Sequence, residues 1–233
     1  MTPPLRVLGV VPARGGSRRI PDKNLARLGG RSLVRRALET VASARRVNAV
    51  ALSSDDPRIL AEGSAVDDVL LLQRPPELST PTATSHSAIL HSLVESERVL
   101  GCAFDAVALV QCTSPFTLPS DVDGTIAVME RTRSGSVFSV TELDHAYHPA
   151  KVRLLEGDRL VAAYEGGLEP RAAHETSTLW INNGSVYLSR REVVERGSLA
   201  SDDLCGFAMP AERSLDINAP LDLEFARFLE ARS

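Results

Sequence analysis

The sequence is poor in cysteine. Only Cys102, Cys112 and Cys205 occur among 233 residues, an odd number that forms no Cys-x-x-Cys pair. Because disulfide frameworks and structural zinc sites need cysteines in sets at short spacings, we expect reduced thiols, no zinc site and a cytoplasmic protein. The amino-terminal MTPPLRVLGVVPARGG also lacks the charged region and long apolar core of a secretory signal peptide.

Long apolar runs and an excess of positive charge are missing as well. No run approaches the roughly 20 apolar residues of a membrane-spanning helix, and the formal net charge is −4. An acidic chain is a poor candidate for binding nucleic acid or an anionic membrane. No segment is repeated at a fixed period. With 43% apolar and 24% charged residues, the sequence predicts one globular domain over residues 1–233.

Strand-like and helix-like segments alternate up to residue 142. Runs rich in valine, leucine and alanine predict strands at 5–11, 47–54, 68–73, 105–111 and 136–142. Apolar residues at helical spacing predict helices at 31–46, 56–66, 84–100 and 120–132. The last helix is expected to begin with a capping box formed by Ser120 and Asp123. Strict alternation is typical of right-handed βαβ units and of a parallel sheet covered by helices on both faces.

The pattern changes between about 143 and 213, where the segments are short, polar and rich in turn residues. KVRLLEGDRLVAAY (151–164) reads as a strand, a Gly-Asp turn and a second strand. We therefore expect a small lobe inserted here. The chain is expected to return to the main domain with SLDI (214–217) and to end in an amphipathic helix over 221–231.

A basic, glycine-containing loop follows the first predicted strand, in VVPARGGSRRIPDKN (10–24). Glycines let main-chain amides approach a ligand closely, and successive amides can form an anion-binding nest. Four cations in the loop are suited to phosphate oxygens: Arg14, Arg18, Arg19 and Lys23. The loop is neither a Walker A motif nor G-x-G-x-x-G. From the residues alone, a solvated basic loop remains an alternative to a polyphosphate site.

Two further polar clusters follow the second and fourth predicted strands. Ligands of open α/β sheets bind at the carboxyl ends of the strands, so these clusters should lie near the basic loop. SSDD contributes Asp55 and Asp56, one of which could instead cap the next helix. VQCTSPFT contributes Gln111, a donor and an acceptor, although its Ser-Pro pair also marks a turn.

The last polar cluster is SLDINAP (214–220). Asp216 offers hard carboxylate oxygens, and we interpret it as a ligand of a divalent cation. Asn218 precedes Ala-Pro and a helical run, so we interpret it as a helix N-cap. Upstream, WINNGSVYL contains Asn183 and Gly184, a pair that also predicts a hairpin turn.

In this order, the segments resemble the motifs of the CMP-sialic acid synthetase family, the acylneuraminate and nonulosonate cytidylyltransferases. The basic loop is similar to the family's A-R-x-x-S-K-x-x-P-x-K-N at Ala13, Arg14, Ser17, Arg18, Pro21, Lys23 and Asn24. Similar segments are R-P-x-x-L at 74–78, L-Q-P-T-S-P at 110–115, H-P-x-K at 148–151, N-G-x-[IV]-Y at 183–187 and S-[IL]-D-I-D-T-x-x-D-L at 214–223. The likeness spans nearly the whole chain, and the combination of motifs is more specific than any one of them.

The resemblance implies a three-layer, Rossmann-like α/β nucleotidyltransferase fold with a mainly parallel sheet and a small dimerisation lobe. It implies a homodimer that transfers CMP from CTP to a small acidic acceptor, releases pyrophosphate and uses Mg²⁺. The implied catalytic residues are Arg14 and Lys23. The implied nucleotide-binding residues are Ala13, Arg14, Gly15, Gly16, Ser17, Arg18, Lys23, Asn24, Arg74, Thr82 and Ser85. The implied acceptor-binding residues are Gln111, Lys151, Arg171, Asn183, Tyr187 and Phe207, and the implied metal ligand is Asp216, with Asn218 as a candidate second ligand.

Several positions depart from the family's pattern. Asn218 stands where the family has a second aspartate, and Thr117 stands where it has an arginine. Ile181 replaces another arginine, and Gly206 replaces one ring of an aromatic pair that continues with Phe207. The nucleotide half therefore keeps more of the pattern than the acceptor half. This favours an acceptor other than a standard N-acetylated sialic acid.

Three other functions remain open at this stage. One is a cytidylyltransferase for a phosphonate acid such as phosphonoformate. A second is a nucleotidyltransferase acting on sugar phosphates, although those enzymes usually have a longer glycine-rich loop and the H-P-x-K segment argues against it. The third is a non-catalytic nucleotide-binding homologue. The only sequence feature that favours it is Asn218, which replaces the family's second aspartate.

Overall fold

The apolar runs of the sequence form strands of a seven-stranded sheet. Two further pairs of short strands form small ribbons. The structure is a computed structural model that describes residues 4–17, 19–80, 84–163 and 177–232. Its strands are β1 (Val7–Pro12), β2 (Arg27–Leu28), β3 (Arg31–Ser32), β4 (Ala49–Ser54), β5 (Val69–Gln73), β6 (Ala106–Val110), β7 (Ser136–Glu142), β8 (Arg153–Glu156), β9 (Arg159–Ala162), β10 (Trp180–Arg190) and β11 (Cys205–Ala208). Its helices are α1 (Leu33–Ala42), α2 (Pro57–Gly63), α3 (Ser85–Leu100), α4 (Pro119–Thr132), α5 (Arg191–Glu195) and α6 (Pro220–Glu230).

The large sheet has the strand order β11-β7-β10-β6-β1-β4-β5. Only β10 runs against its neighbours, β6 and β7, while the other neighbouring pairs of this sheet are parallel. In the centre, Val10 of β1 is in register with Ala51 of β4 and Leu109 of β6. The predicted mainly parallel sheet is confirmed.

Helices cover both faces of the sheet, as the alternation of strands and helices predicts. On one face, Leu38 and Val41 of α1 share a buried cluster with Met129 of α4. On the other face, Leu93 of α3 and Val194 of α5 share a second cluster. Side chains alternate along a strand, so β1 can contribute to both clusters. The result is a three-layer core.

Gly9 of β1 allows α1 to lie very close to the sheet. A Cβ atom at this position would come within 2.3 Å of Val41 Cγ1. This contact is far shorter than atoms can tolerate. A side chain at residue 9 would therefore push α1 outward and disturb the strand that leads into the basic loop.

Most helix ends follow the sequence signals. The side chain of Ser32 accepts a hydrogen bond from Arg35 N, and that of Thr84 accepts one from Ser87 N. Asp56 Oδ1 accepts a 2.8 Å hydrogen bond from Arg58 N at the start of α2. The helix-cap interpretation of the SSDD segment is therefore confirmed for Asp56.

The predicted capping box of α4 is wrong in its residues. Pro119 is the first helical residue, so Asp121 occupies the third position, where its carboxylate reaches back to the cap. Asp121 Oδ2 accepts a 2.9 Å hydrogen bond from Leu118 N. Asp123 instead accepts hydrogen bonds from the main-chain amides of Arg45 and Arg46 beyond the end of α1.

The N-cap interpretation of Asn218 is also wrong. Helix α6 begins at Pro220, and Ala219 occupies the cap position. Asp222 Oδ2 accepts hydrogen bonds of 2.8 Å from Asn218 N and 2.7 Å from Ala219 N. The side chain of Asn218 is therefore available for another contact.

The chain returns to the main sheet earlier than the sequence predicts. The hairpin of β8 and β9 is confirmed, but β10 and β11 follow it before residue 213 and flank β7. Gly184 lies inside β10, where the register shifts between Asn182 and Tyr187, and not in a hairpin turn. The segment 214–217 forms no strand. It is held by a 2.8 Å hydrogen bond from Ile217 N to Thr113 O.

No helix in the described parts of the chain has both the length and the apolar character needed to cross a bilayer. Cys102, Cys112 and Cys205 are free thiols. Cys112 is buried, whereas the other two are partly exposed.

Candidate active site

Several loops meet at one edge of the large sheet. The segments after β1, β4, β5 and β6 leave this edge because those strands are parallel, and the antiparallel β10 enters from it. The segments after β1, β5 and β6, together with the start of α3, enclose a cavity of about 310 Å³. Among the residues that line it are Arg14, Ser17, Lys23, Asn24, Arg74, Ser85 and Gln111. The structure thus brings together seven side chains that the sequence assigns to a ligand site.

Other predicted residues lie around this cavity or beyond the described structure. Ala13, within the basic loop, is buried, and its amide donates a 3.0 Å hydrogen bond to Ser53 O. Gly15 and Gly16, with Arg14, line an adjacent depression of about 550 Å³. The predicted residues Arg18, Thr82 and Arg171 lie outside the described residues.

Hydrogen bonds of its main-chain groups hold the basic loop in place. Gly15 N donates a 2.9 Å hydrogen bond to Asp55 Oδ1, so this amide, like that of Ala13, already has a protein partner. Asn24 Nδ2 donates to Arg14 O over 2.9 Å and ties the two ends of the loop together. The amides of Ala13 and Gly15 are therefore not free to bind an anion.

Arg58 is a loop contact that the sequence analysis missed. Its guanidinium donates to Asp56 and, at 2.8 Å and 3.2 Å, to both carboxylate oxygens of Asp22, which directly precedes Lys23. Asp22 adopts a left-handed conformation with φ of 49°. The three side chains link the loop to the start of α2. No sequence motif indicates this contact because it joins residues 36 positions apart.

Lys23 occupies the junction between the loop and the carboxyl-terminal segment. Its Nζ donates a 2.8 Å hydrogen bond to Ile217 O. Partial burial lowers the pKa of Lys23, and the neighbouring carboxylate of Asp216 opposes this shift. A half-buried ammonium group beside an open cavity is well suited to neutralise an anionic ligand.

Arg74 provides a second, more deeply buried cation. Its side chain donates to Ser53 Oγ at 3.1 Å and to Ser53 O at 2.7 Å, and it forms no ion pair among the described residues. Burial lowers the pKa of Arg74, while Asp55 opposes the shift. An arginine that lines a cavity and has no carboxylate partner is suited to an anionic or carbonyl group of a ligand.

The first turn of α3 forms another part of the cavity wall. Thr84 and Ser85 line the cavity there, and α3 is 16 residues long. Amides at a helix N-terminus carry partial positive charge and favour anions. Ser85, predicted to bind the nucleotide, lies in this turn.

Cys112 lines the same cavity as both cations. Burial raises the pKa of its thiol to about 12, while Lys23 and Arg74 act in the opposite direction. The thiol therefore remains protonated at neutral pH and contributes no negative charge to the cavity.

Asp216 lies next to Lys23 and is the candidate metal ligand. Asn218 Nδ2 donates a 2.7 Å hydrogen bond to Asp216 Oδ2. Asp216 Oδ1 is buried and accepts no hydrogen bond from the described residues. A buried carboxylate oxygen without a donor fits a hard divalent cation. No group of three or more His, Cys, Asp or Glu side chains in the described chain could hold a metal alone, so the remaining ligands would come from substrate, water or neutral oxygens.

The predicted acceptor residues do not all face the cavity. Gln111 lines it. Burial raises the pKa of the Tyr187 hydroxyl, and the carboxylate of Asp216 adds to this shift. Asn183 is 4% exposed, and its amide binds Ser139 and Ser214. The side chain thus has protein partners at both its oxygen and its nitrogen.

Two acceptor-side predictions lie away from the described cavity. Lys151 ends a short helical turn and is exposed. The ring of Phe207 packs on Gly124 of α4, so closely that a Cβ atom there would meet it at 2.4 Å. Neither residue is among those that line the cavity in the described part of the chain.

Comparisons with known proteins identify the family of the chain. The family model described as Cytidylyltransferase matches residues 8–170. The chain is 24% identical to a CMP-N,N'-diacetyllegionaminic acid synthase of Legionella pneumophila over 94% of this chain and 93% of that protein. It is 26% identical to N-acylneuraminate cytidylyltransferase A of Danio rerio over 93% of this chain and 49% of that longer protein.

Solved structures show the same fold. A CMP:2-keto-3-deoxy-manno-octonic acid synthetase complexed with CTP superimposes with a TM-score of 0.70 at 19% identity. The match covers 97% of this chain and 99% of that one. Together with the family model, this confirms the predicted Rossmann-like nucleotidyltransferase fold and the resemblance on which it was based.

Proposed function

The chain belongs to the cytidylyltransferase family, and on this basis we propose that it transfers the CMP group of CTP to a nonulosonic acid and releases pyrophosphate. The observation that carries the proposal is the convergence of Lys23, Arg74 and Asp216 at one sheet edge. Two cations and a carboxylate with an unpartnered oxygen match the needs of a triphosphate and its metal. The exposed Arg14 adds a third cation to the cavity wall.

The reaction is a displacement at the α-phosphorus of CTP. A hydroxyl oxygen of the acceptor forms a bond to this phosphorus, and the bond to the bridging oxygen of the β-phosphate breaks. The leaving pyrophosphate carries the electron pair of the broken bond, and the proton of the attacking hydroxyl passes to solvent. Catalysis of such a step is mainly positioning and neutralisation of the charge that develops on the phosphate oxygens. We assign this task to Lys23 and Arg14.

Asp216 would hold Mg²⁺ in this reaction. The bound ion would neutralise phosphate charge and orient the triphosphate, as hard divalent cations do with few carboxylates and several phosphate oxygens. Asp216 Oδ1 is the atom that supports this role, because it is buried without a hydrogen-bond donor. Asn218 keeps the other oxygen of the same carboxylate in place.

We propose that the acceptor is a nonulosonic acid other than N-acetylneuraminate. Two comparison proteins are named for CMP-legionaminic and N-acylneuraminic acid chemistry, which supports this class over a phosphonate acid. The altered positions Ile181 and Gly206 support an acceptor pocket that differs from the standard one. Gln111 lines the cavity and Tyr187 lies within the electrostatic influence of Asp216, so we assign both to the acceptor side.

We also propose a cytoplasmic homodimer. The free cysteines agree with a reducing compartment. Leu155 and Leu160 of the β8–β9 hairpin are 70% and 62% exposed, and Trp180 nearby in the chain is 52% exposed. Large exposed apolar side chains of this kind are suited to contact a second copy of the chain.

The proposal is tested by pyrophosphate release in two series. In the first, CTP is compared with UTP, GTP and ATP, and CTP should be preferred by at least about tenfold in kcat/KM. In the second, CTP is held constant and the acceptor is N-acetylneuraminate, legionaminic acid, pseudaminic acid, 3-deoxy-manno-octulosonate or phosphonoformate.

We expect turnover with a nonulosonic acid that exceeds turnover with N-acetylneuraminate. N-acetylneuraminate as the best acceptor would overturn the acceptor proposal but leave CTP chemistry intact. No release with any acceptor, in the presence of Mg²⁺, would contradict the proposed transfer. The Lys23→Ala protein serves as a control for pyrophosphate released by contaminants.

A further inference from the structure

The side chains of Asn218 and Ser114 both lie near the carboxylate of Asp216, but they differ in how they contact it. Asn218 stands two residues after Asp216, and its amide Nδ2 donates to Asp216 Oδ2 over 2.7 Å. A carboxylate only accepts hydrogen bonds, so the nitrogen of the amide, and not its oxygen, must face Asp216. In this arrangement Asn218 holds one carboxylate oxygen and leaves the other for a ligand.

Ser114 brings a neutral oxygen to the same place. Its Oγ is buried and has no hydrogen-bond partner among the described residues, like Asp216 Oδ1. Both side chains pack on Gly184, which has φ of 78°. A Cβ atom at Gly184 would lie 3.3 Å from Asp216 Oδ2 and 3.4 Å from Ser114 Oγ.

Unpartnered buried oxygens are rare in folded proteins, and two side chains that carry them and pack on the same glycine call for a ligand that both can bind. A cation satisfies this requirement, because a hydroxyl and a carboxylate oxygen can both donate lone pairs to it. The backbone supports the geometry, since Ile217 N donates to Thr113 O and Ile217 O accepts from Lys23 Nζ. These hydrogen bonds hold the main chain next to Ser114 and next to Asp216 in place.

We propose that the divalent cation of this enzyme is held by Asp216 Oδ1 and Ser114 Oγ, and that Asn218 is a positioning residue that orients the carboxylate without binding the cation. The inference rests on the proposed function, since it concerns the metal used with CTP. It assigns a role to Ser114, which lies in the segment 110–115 but is not among the site residues predicted from the sequence.

The first experiment measures Mn²⁺ binding to the full chain by electron paramagnetic resonance, with Mn²⁺ alone and with Mn²⁺ and CTP but no acceptor. Asp216→Asn and Ser114→Ala should each lower the affinity by about tenfold or more, as loss of a ligand does. Ser96→Ala is the matched control, because Ser96 Oγ is also buried without a partner but lies on α3. It should leave the affinity unchanged.

The second experiment isolates Asn218 without any metal. In EDTA, Asn218→Asp places two carboxylates together and should lower the melting temperature by at least about 2 °C. Mn²⁺ should restore it, because the new carboxylate joins the cation and raises its affinity. Asn182→Asp adds the same charge at an exposed position of β10. It should leave both the melting temperature in EDTA and the affinity for Mn²⁺ unchanged.

The outcomes separate this inference from the proposed function. Equal Mn²⁺ affinity of the Ser114→Ala and Ser96→Ala proteins, or no Mn²⁺ binding by the unaltered chain under either condition, would overturn the cation site. A metal-free Asn218→Asp protein as stable as the unaltered chain would overturn the positioning role. If Asp216 and Ser114 control Mn²⁺ binding but no acceptor releases pyrophosphate from CTP, the cation site stands and the proposed transfer fails.

Discussion

Lys23 Nζ donates a 2.8 Å hydrogen bond to the main-chain oxygen of Ile217, a residue 194 positions away. This contact joins the basic loop after β1 to the segment that carries Asp216. It places Lys23, which lines the cavity, beside the segment that carries the carboxylate of Asp216. The contact defines the site more directly than either sequence motif does alone.

Lys23→Ala should lower kcat/KM by about 100-fold, because it removes a charge that neutralises the phosphates in the transition state. Lys23→Arg should retain more activity than Lys23→Ala. Arg19→Ala removes another cation of the same loop, one that is exposed, and should change the rate by less than about threefold. Steady-state pyrophosphate release measures all three, and equal effects of Lys23→Ala and Arg19→Ala would contradict a specific role for Lys23.

Arg74→Met should separate activity from stability. The substitution removes a buried guanidinium that has no carboxylate partner in the described structure, so the free energy of unfolding should rise by about 1 kcal/mol. The kcat/KM for CTP should fall at least about tenfold, since a cavity-lining cation is lost. Urea denaturation and pyrophosphate release give the two quantities.

Arg36→Met is the matched control for that substitution. Arg36 is also largely buried but pairs with both carboxylate oxygens of Glu230, at 2.6 Å and 3.0 Å. Its removal leaves that carboxylate unpaired and should lower the free energy of unfolding by about 2 kcal/mol or more. A stabilising Arg36→Met, or a destabilising Arg74→Met, would show that burial and pairing do not distinguish these arginines as argued.

Gly184→Ala should damage the site as well as the fold. Its φ of 78° is unfavourable for alanine, and the new Cβ would press on Asp216 and Ser114. We expect a loss of about 1 kcal/mol or more in the free energy of unfolding and at least about a tenfold lower kcat/KM. Gly157→Ala is the control, because Gly157 has φ of 61° but no atom within 4 Å of its Cβ position. It should lose stability and keep its activity.

Asp56→Asn should change stability in a pH-dependent way. The hydrogen bonds of Arg58 are the main reason that the pKa of Asp56 lies below its ordinary value of 3.8. A lowered folded-state pKa stabilises the fold above the unfolded pKa, and this contribution is lost as the pH falls through the folded value. The variant keeps a cap acceptor but not the charge, so it should be less stable at pH 7 by up to about 1 kcal/mol.

The difference between the two proteins should shrink as the pH falls below about 4. Urea denaturation at pH 7, 5 and 3.5 measures it. A constant difference over this range would exclude the charge of Asp56 as its source. Asp67→Asn is a suitable control, because Asp67 lies outside the contacts of Asp56 with Arg58 and Asp22.

Much of the fold could be predicted from the sequence because its signals are local. The periodicity of Leu33–Ala42 and the apolar run of Ser136–Glu142 are visible in short windows, and both elements form close to the predicted positions. The antiparallel insertion of β10 between β6 and β7 could not be predicted in this way. Its Asn-Gly pair has the local signature of a turn, but it lies at an irregularity within β10, and the residues on either side of it pair with the neighbouring strands.

The cation-rich side of the site could also be recognised from sequence, since Arg14, Lys23 and Arg74 lie in motifs directly after strands. For the acceptor side, the motifs do not show which side chains are available to a ligand. Asn183 fits a family motif, yet its amide is bonded to Ser139 and Ser214 inside the protein. Hydrogen-bond partners depend on packing between distant segments, and a motif does not contain that information.

By itself, the sequence determined the alternation of strands and helices and the order of the ligand-binding loops, because side-chain periodicity and turn chemistry act over a few residues. Tertiary structure alone decided which polar groups already have protein partners and which remain available. It assigned Asp222 to the helix cap and Asn218 to Asp216, and it left one oxygen of Asp216 and the hydroxyl of Ser114 without partners. These outcomes depend on contacts between segments far apart in the chain, which form only when the whole sheet has assembled.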